Sequence, residues 1–191
     1  MSRRVERLRD EIRVLEYRAG DIGALEELIS YWQPRIYTYI LMMVGEEEAA
    51  WDVSQEAWMG AISGLGKLRR IENFAGWIYR VAHNKAISHL RKKKQLKERE
   101  EKLPEVVEGE GDEAMELAFA AEDAGLVREC LRKLALAQKE VLTLFYLDAL
   151  SLDEIARILN VAKGTVQSRL HYGRKRMKEL LLKGGYDHEV R

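Results

Sequence analysis

Ser151-Leu-Asp-Glu-Ile-Ala-Arg-Ile-Leu-Asn-Val-Ala-Lys-Gly-Thr-Val-Gln-Ser-Arg-Leu170 decides the fold of the second half of the chain. Ser151 followed three residues later by Glu154 is a capping box, in which each side chain satisfies a backbone N–H that a helix start would leave open. A helix therefore begins there, and Asp153 adds a negative charge in the first turn, where the helix dipole favours it. Leu152, Ile155, Ala156 and Leu159 predict its buried stripe. Asn160 stands where the helix must end in a left-handed residue, a conformation that Asn tolerates better than most non-glycine types. A tight turn through Val161 and Ala162 leads to a second helix. Its inward face is Val166, Leu170, Gly173 and Met177, at i, i+4, i+7 and i+11. Small Ala156 lets the two helices approach closely, and the unit reads as a helix-turn-helix.

The opposite face of the second helix presents Ser168, His171, Tyr172 and Lys175, flanked by Gln167 and Arg174. In a helix-turn-helix the second helix enters the major groove, and Gln, Ser, His and Arg can bond base edges there. Lys163, Thr165, Arg169 and Arg176 are placed to hold phosphates.

The rest of the chain fits an all-α protein. It has 191 residues, 47% hydrophobic and 34% charged, with only two Pro, so helix formers run with few interruptions. The lone Cys130 cannot form an internal disulfide and reads as a small buried residue on a helix. With four scattered His it offers no metal-ligand spacing, so no metal and no cofactor are expected. No nucleophile–base pair or phosphate loop is visible, so the chain does not read as an enzyme. The charged N-terminus does not resemble a signal peptide, and the longest apolar run, near Tyr39 to Val44, is too short to span a bilayer. A cytoplasmic protein without membrane insertion is expected.

Net charge is zero, but as a sum of opposed blocks. Glu46, Glu47, Glu48, Asp52 and Glu56 form an acidic stretch without a base. From Lys67 to Lys97 the bases Lys67, Arg69, Arg70, Arg80, Lys85, Arg91, Lys92, Lys93, Lys94 and Lys97 face Glu72 alone. The chain turns acidic again from Glu98 to Asp123, then basic from Ile155 to Lys178. The blocks divide it into a helical domain over residues 1–97, a flexible acidic linker over 98–122, a smaller helical domain over 123–183 and a tail over 184–191. Helix breaks are expected near 19–21, 44–45 and 64–73.

Three segments resemble a known family. Ala50-Trp-Asp-Val-Ser-Gln-Glu-Ala-Trp58 is similar to the sigma-2 signature Ala-Glu-Asp-x-x-Gln-Glu-x-Phe/Trp of bacterial RNA polymerase sigma factors. Phe74-Ala-Gly-Trp-Ile-Tyr-Arg-Val-Ala-His-Asn-Lys-Ala-Ile-Ser-His-Leu-Arg91 resembles the sigma-2 segment Trp-Leu-Tyr-Arg-Ile-Ala-x-Asn-x-Ala-x-Asp-x-Leu-Arg. Gly164-Thr-Val-Gln-Ser-Arg-Leu-His171 resembles the sigma-4 run Gly-Thr-Val-Lys-Ser-Arg-Leu-His. In order and spacing they match the small extracytoplasmic-function type of the sigma-70 family. Trp51, Ser88 and Gln167 depart from the family's usual Glu, Asp and Lys.

The resemblance implies two small helical domains, a sigma-2-like bundle and a sigma-4-like helix-turn-helix domain, joined by the acidic linker. It implies a promoter-specificity subunit of core RNA polymerase that assists DNA melting, is monomeric when free or held by an anti-sigma factor, and docks on the clamp helices and flap. Asp52, Gln55 and Glu56, at i, i+3 and i+4, gather on the polar face that would meet the clamp helices. Trp51, Trp58, Ile62 and Leu65 share a narrow arc expected to be buried. Phe74, Trp77, Ile78 and Val81 are expected in the core. The minus-10 strand would lie against Arg69, Arg70, Asn73, Tyr79, Arg80, His83, Asn84, Arg91, Lys92 and Lys93, with Tyr79 or the Asn side chains meeting unstacked bases. Gln167, Ser168, His171 and Tyr172 would read the minus-35 element. The acidic linker reads either as nucleic-acid mimicry or as a solvated tether. A free-standing helix-turn-helix regulator with a sensing or dimerising first domain is the alternative reading.

Overall fold

The computed structural model describes residues 3–100, 124–146 and 149–183, and every regular element among them is helical. The first four helices are α1 (Arg3–Arg18), α2 (Ile22–Val44), α3 (Glu47–Leu65) and α4 (Phe74–Glu100), with a 3-10 turn at Ile71–Asn73 before α4. The breaks fall where expected. Asp21 Oδ1 caps α2 by accepting from the Gly23 N–H at 2.8 Å, and Gly45 ends it at φ 85°, donating to the Leu41 carbonyl. The first domain was expected to end at residue 97, but α4 stays helical through Glu100. The remaining linker, 101–122, and the tail, 184–191, lie outside the described residues.

Trp32 of α2 is the centre of this bundle. Its ring meets Phe74 and Tyr79 of α4 edge-on, each at 5.9 Å, and Tyr39 packs on Tyr79 at 5.4 Å. Burying several aromatic side chains in edge-to-face contact supplies both area and geometry, and fixes α4 on α2. Trp58, Leu65, Phe74 and Ile78 are buried and Ile62, Trp77 and Val81 half-buried, as their arcs predict. Trp51 is the correction, being 50% exposed with its ring edge-on to Tyr37 at 5.5 Å. It sits one turn into α3, with Tyr37 of α2 as its aromatic partner.

The second domain comprises α5 (Ala124–Arg132), α6 (Leu136–Tyr146), α7 (Leu152–Leu159) and α8 (Lys163–Lys183). Cys130 is buried on α5, which lies against α8. The two domains are not separate bodies, since α2 packs on α6 and α4 on α7, and one hydrophobic cluster runs through both. That seam explains a second buried stripe on α7. Beside Ile155 and Leu159, Glu154 and Ile158, one turn apart, are also buried, and Arg7 of α1 in the first domain pairs with Glu154.

Candidate nucleic-acid interface

The helix-turn-helix is built as its sequence predicts. The Ser151 Oγ accepts from the Glu154 N–H while the Glu154 carboxylate accepts from the Ser151 N–H at 2.8 Å, completing the capping box. Asn160 ends α7 in the left-handed region at φ 54°, ψ 49°. Val166, Leu170 and Gly173 of α8 are buried and Met177 is half-buried. A Cβ on Gly173 would stand 3.1 Å from Leu142 Cδ1 and 3.4 Å from Gln138 Cβ, so a larger residue there would push α8 off α6.

The opposite face of α8 is open. Gln167, Ser168, His171, Tyr172, Arg174 and Lys175 are all exposed, and His171 meets Tyr172 edge-on at 5.3 Å. Arg174 leans back over Phe145 and Tyr146, with its guanidinium carbon 5.0 and 5.4 Å from their ring centres, which restrains its fork. At the start of α8, Lys163 Nζ is 2.8 Å from Asp153 Oδ2, and half-buried Thr165 accepts from the Ser168 hydroxyl through its carbonyl. Arg169 is half-buried and turned toward the seam, close enough for its charge to act on His83 and Glu140. In this arrangement it does not share the open face with Gln167 and His171.

On the first domain the predicted residues split into two groups. Arg69, Arg70, Arg80, Asn84, Arg91 and Lys92 are exposed along the 3-10 turn and α4, with Arg70 Nε 3.0 Å from Glu72. Half-buried Lys93 pairs with Glu46 of the neighbouring acidic stretch. The Asn73 amide folds over the start of α4, so near Gly76 that a Cβ there would lie 2.8 Å from its Oδ1. Tyr79 is the misplaced candidate. It is 0% exposed between Trp32 and Tyr39 and has no face to offer a base in this conformation. His83 is also largely covered, its Nδ1 3.2 Å from the Tyr39 hydroxyl. Burial, then the positive charges of Arg169, Arg80 and Arg91, hold its imidazole below the usual histidine range. Asp52, Gln55 and Glu56 are exposed together on α3, and Glu56 Oε2 lies 3.1 Å from Lys85 Nζ of α4.

Sequence reasoning missed Glu140 of α6. It is buried at the seam, its Oε1 is 3.7 Å from His83 Nδ1, and burial pushes its carboxyl up to about 7 against the opposing charge of Arg169. The one available signal was an acid at the edge of the mostly apolar run from Val141 to Phe145. Among the described residues no group of three or more His, Cys, Asp or Glu is arranged to hold a metal ion, and no helix is long and apolar enough to cross a membrane.

A helix-turn-helix with an open polar and basic reading face, beside a bundle carrying a second basic helix, defines a two-module DNA-binding protein. Residues 28–95 match the family model for sigma-70 region 2 and residues 124–177 that for sigma-70 region 4. The RNA polymerase sigma-H factor of Pseudomonas aeruginosa is 30% identical over 180 residues, covering 90% of this chain and 93% of that protein. The extracytoplasmic-function sigma factor SigW of Bacillus subtilis is 28% identical over 177 residues, covering 88% and 95%. In fold, the chain is similar to the sigma factor RpoE of Bartonella quintana, solved in complex with the anti-sigma factor NepR, with TM-score 0.71 and 20% identity over 84% of this chain and 98% of that one. It is also similar to CnrH, solved in complex with the cytosolic domain of CnrY, with TM-score 0.67 and 20% identity over 92% and 98%. The chain belongs to the sigma-70 family of RNA polymerase sigma factors, in its extracytoplasmic-function group. Because the full-length relatives align across both domains, the free-standing regulator is not favoured.

Proposed function

We propose that the protein directs core RNA polymerase to promoters by dividing recognition between its two domains, acting in the cytoplasm without a catalytic step of its own. The observation that carries this reading is the open face of α8, where Gln167, Ser168, His171, Tyr172 and Lys175 project from a capped and packed helix-turn-helix. That face reads the minus-35 major groove, with Lys163 and Thr165 on phosphates. The exposed bases of the 3-10 turn and α4 hold the melted minus-10 strand, where phosphate neutralisation supplies most of the affinity. Asp52, Gln55 and Glu56 dock on the polymerase clamp helices. An anti-sigma factor holds the chain inactive; the complexes solved for RpoE and CnrH support such a partner.

The test pairs two experiments on the full chain. Replacing Asp52 and Gln55 together with Ala is expected to abolish capture of core polymerase. Gln167→Ala and His171→Ala are expected to retain capture and change which promoters the holoenzyme initiates from. Each good side-chain–base contact is worth about 1–3 kcal/mol of discrimination. Equal promoter affinity of the isolated chain and the holoenzyme would refute the division of labour.

A further inference from the structure

The seam between the two domains holds a buried polar cluster. Tyr39 of α2, His83 of α4 and Glu140 of α6 meet there, with Tyr39 Oη 3.2 Å and Glu140 Oε1 3.7 Å from His83 Nδ1. Arg169 of α8 faces both His83 and Glu140, and Arg80 and Arg91 act on His83 along α4. Around the cluster the seam is apolar, and α7, which packs on α4 there, buries Ile158. The closed body cannot serve a promoter. On the reading above, α4 and α8 must reach elements about 25 base pairs apart, or about 85 Å at 3.4 Å per pair, whereas a compact chain of this length has a radius of gyration of about 16 Å.

We propose that the buried Glu140, set against His83 and Tyr39 in this seam, is a built-in weak point that keeps the closure of the two domains reversible. An apolar seam alone would close more tightly. A carboxylate placed inside it must either take a proton or lose its hydration each time the domains meet.

The signs follow from proton linkage. The Glu140 carboxyl sits above its ordinary value when closed, so its support for closure is complete in acid and is lost as pH rises through about 7. The His83 imidazole sits below its ordinary value when closed, so closure is lost as pH falls through the ordinary histidine value. The two slopes oppose each other. Each therefore partly masks the other in the wild type, and each single variant uncovers the slope of the other residue.

The experiment uses the full chain alone, with Ile158→Cys as a seam reporter and native Cys130, buried within the second domain, as an internal control. Maleimide labelling of the reporter, divided by the rate of glutathione at the same pH, measures the open fraction. In the otherwise wild-type chain the ratio is expected well below one and to change less with pH than in either variant below. Glu140→Gln keeps the shape and removes the charge. It is expected to lower the ratio by up to about a hundredfold at pH 7.5, and to make it rise on acidification. His83→Gln is expected to make the ratio rise with pH instead. A ratio near one in the wild-type background would overturn the closure, and unchanged ratios in both variants would overturn the role of Glu140. The inference rests on the promoter reading only for the claim of DNA incompetence. No readout involves DNA or polymerase, so failure here leaves that reading standing.

Discussion

Gly173 offers the sharpest test of how the recognition helix is held. Gly173→Ala sets two effects of similar size against each other. In a helix interior, Ala is worth about 1 kcal/mol more than Gly. Against that, the new methyl would stand 3.1 and 3.3 Å from Leu142 Cδ1 and Cγ and 3.4 Å from Gln138 Cβ. Those distances are inside the roughly 3.5–4.0 Å at which carbon pairs are most stable. Leu142 is itself buried and cannot swing clear, so overpacking of about 1–3 kcal/mol is expected. The net is a loss of about 1 kcal/mol. Gly164, near the start of the same helix, isolates the first effect, because nothing lies within 4 Å of its added Cβ. Gly164→Ala is expected to stabilise by up to about 0.5–1 kcal/mol. Urea unfolding of the full chain measures both. A Leu142→Ala background, which opens room, should turn Gly173→Ala from a loss into a gain, giving a coupling of about 1–2 kcal/mol. If Gly173→Ala stabilises the chain as much as Gly164→Ala does, the close approach of α8 to α6 is not what the glycine is for.

Two other positions test local strain and charge. Ala149 is held at φ 47°, so Ala149→Gly is expected to gain about 0.5–1 kcal/mol by relieving the left-handed cost, read as a rise in the denaturant midpoint. Asp10 is buried, accepts from Trp32 Nε1 at 3.2 Å, and is raised above the usual carboxylate range by burial, with Trp32 and Arg9 opposing. Its contribution is therefore present in acid and lost as pH rises through that raised value. Asp10→Asn keeps an oxygen for the Trp32 N–H, so its thermal midpoint should exceed that of the wild type at pH 7.5 and the gap should close toward pH 4. A gap independent of pH would show that folding does not raise the Asp10 carboxyl, and would refute the reasoning.

What was legible in the sequence was whatever a few consecutive turns determine. Ser151, Glu154 and Asn160 carry their backbone geometry in their side-chain chemistry. The two faces of α8 follow from a 100° rotation per residue, because one face has only its own domain to pack on. Trp51, Tyr79 and Glu140 were misread or missed for a different reason. Their surroundings are made by helices distant in sequence, and Glu140 meets partners from the other domain. Glu154 shows both limits at once: its capping role is local and legible, while its pairing with Arg7 across 147 positions is not. The candidate minus-10 residues divide the same way, the charged ones reaching the surface wherever α4 leaves it free and Tyr79 being enclosed by α2.

Three basic side chains of the proposed DNA face already carry an acid of their own: Arg70 with Glu72, Lys93 with Glu46 and Lys163 with Asp153. These pairs are exposed and add little to stability, but they act as tethered counter-ions. A phosphate arriving at Lys163 displaces a carboxylate that stays attached to the protein, and returns no extra small ion to solution beyond its own. Each such site also weakens the attraction at long range, where a paired cation looks neutral. Binding should therefore be gentler toward random DNA than the number of cationic side chains suggests, with affinity concentrated where fit brings the phosphates close enough to win the exchange.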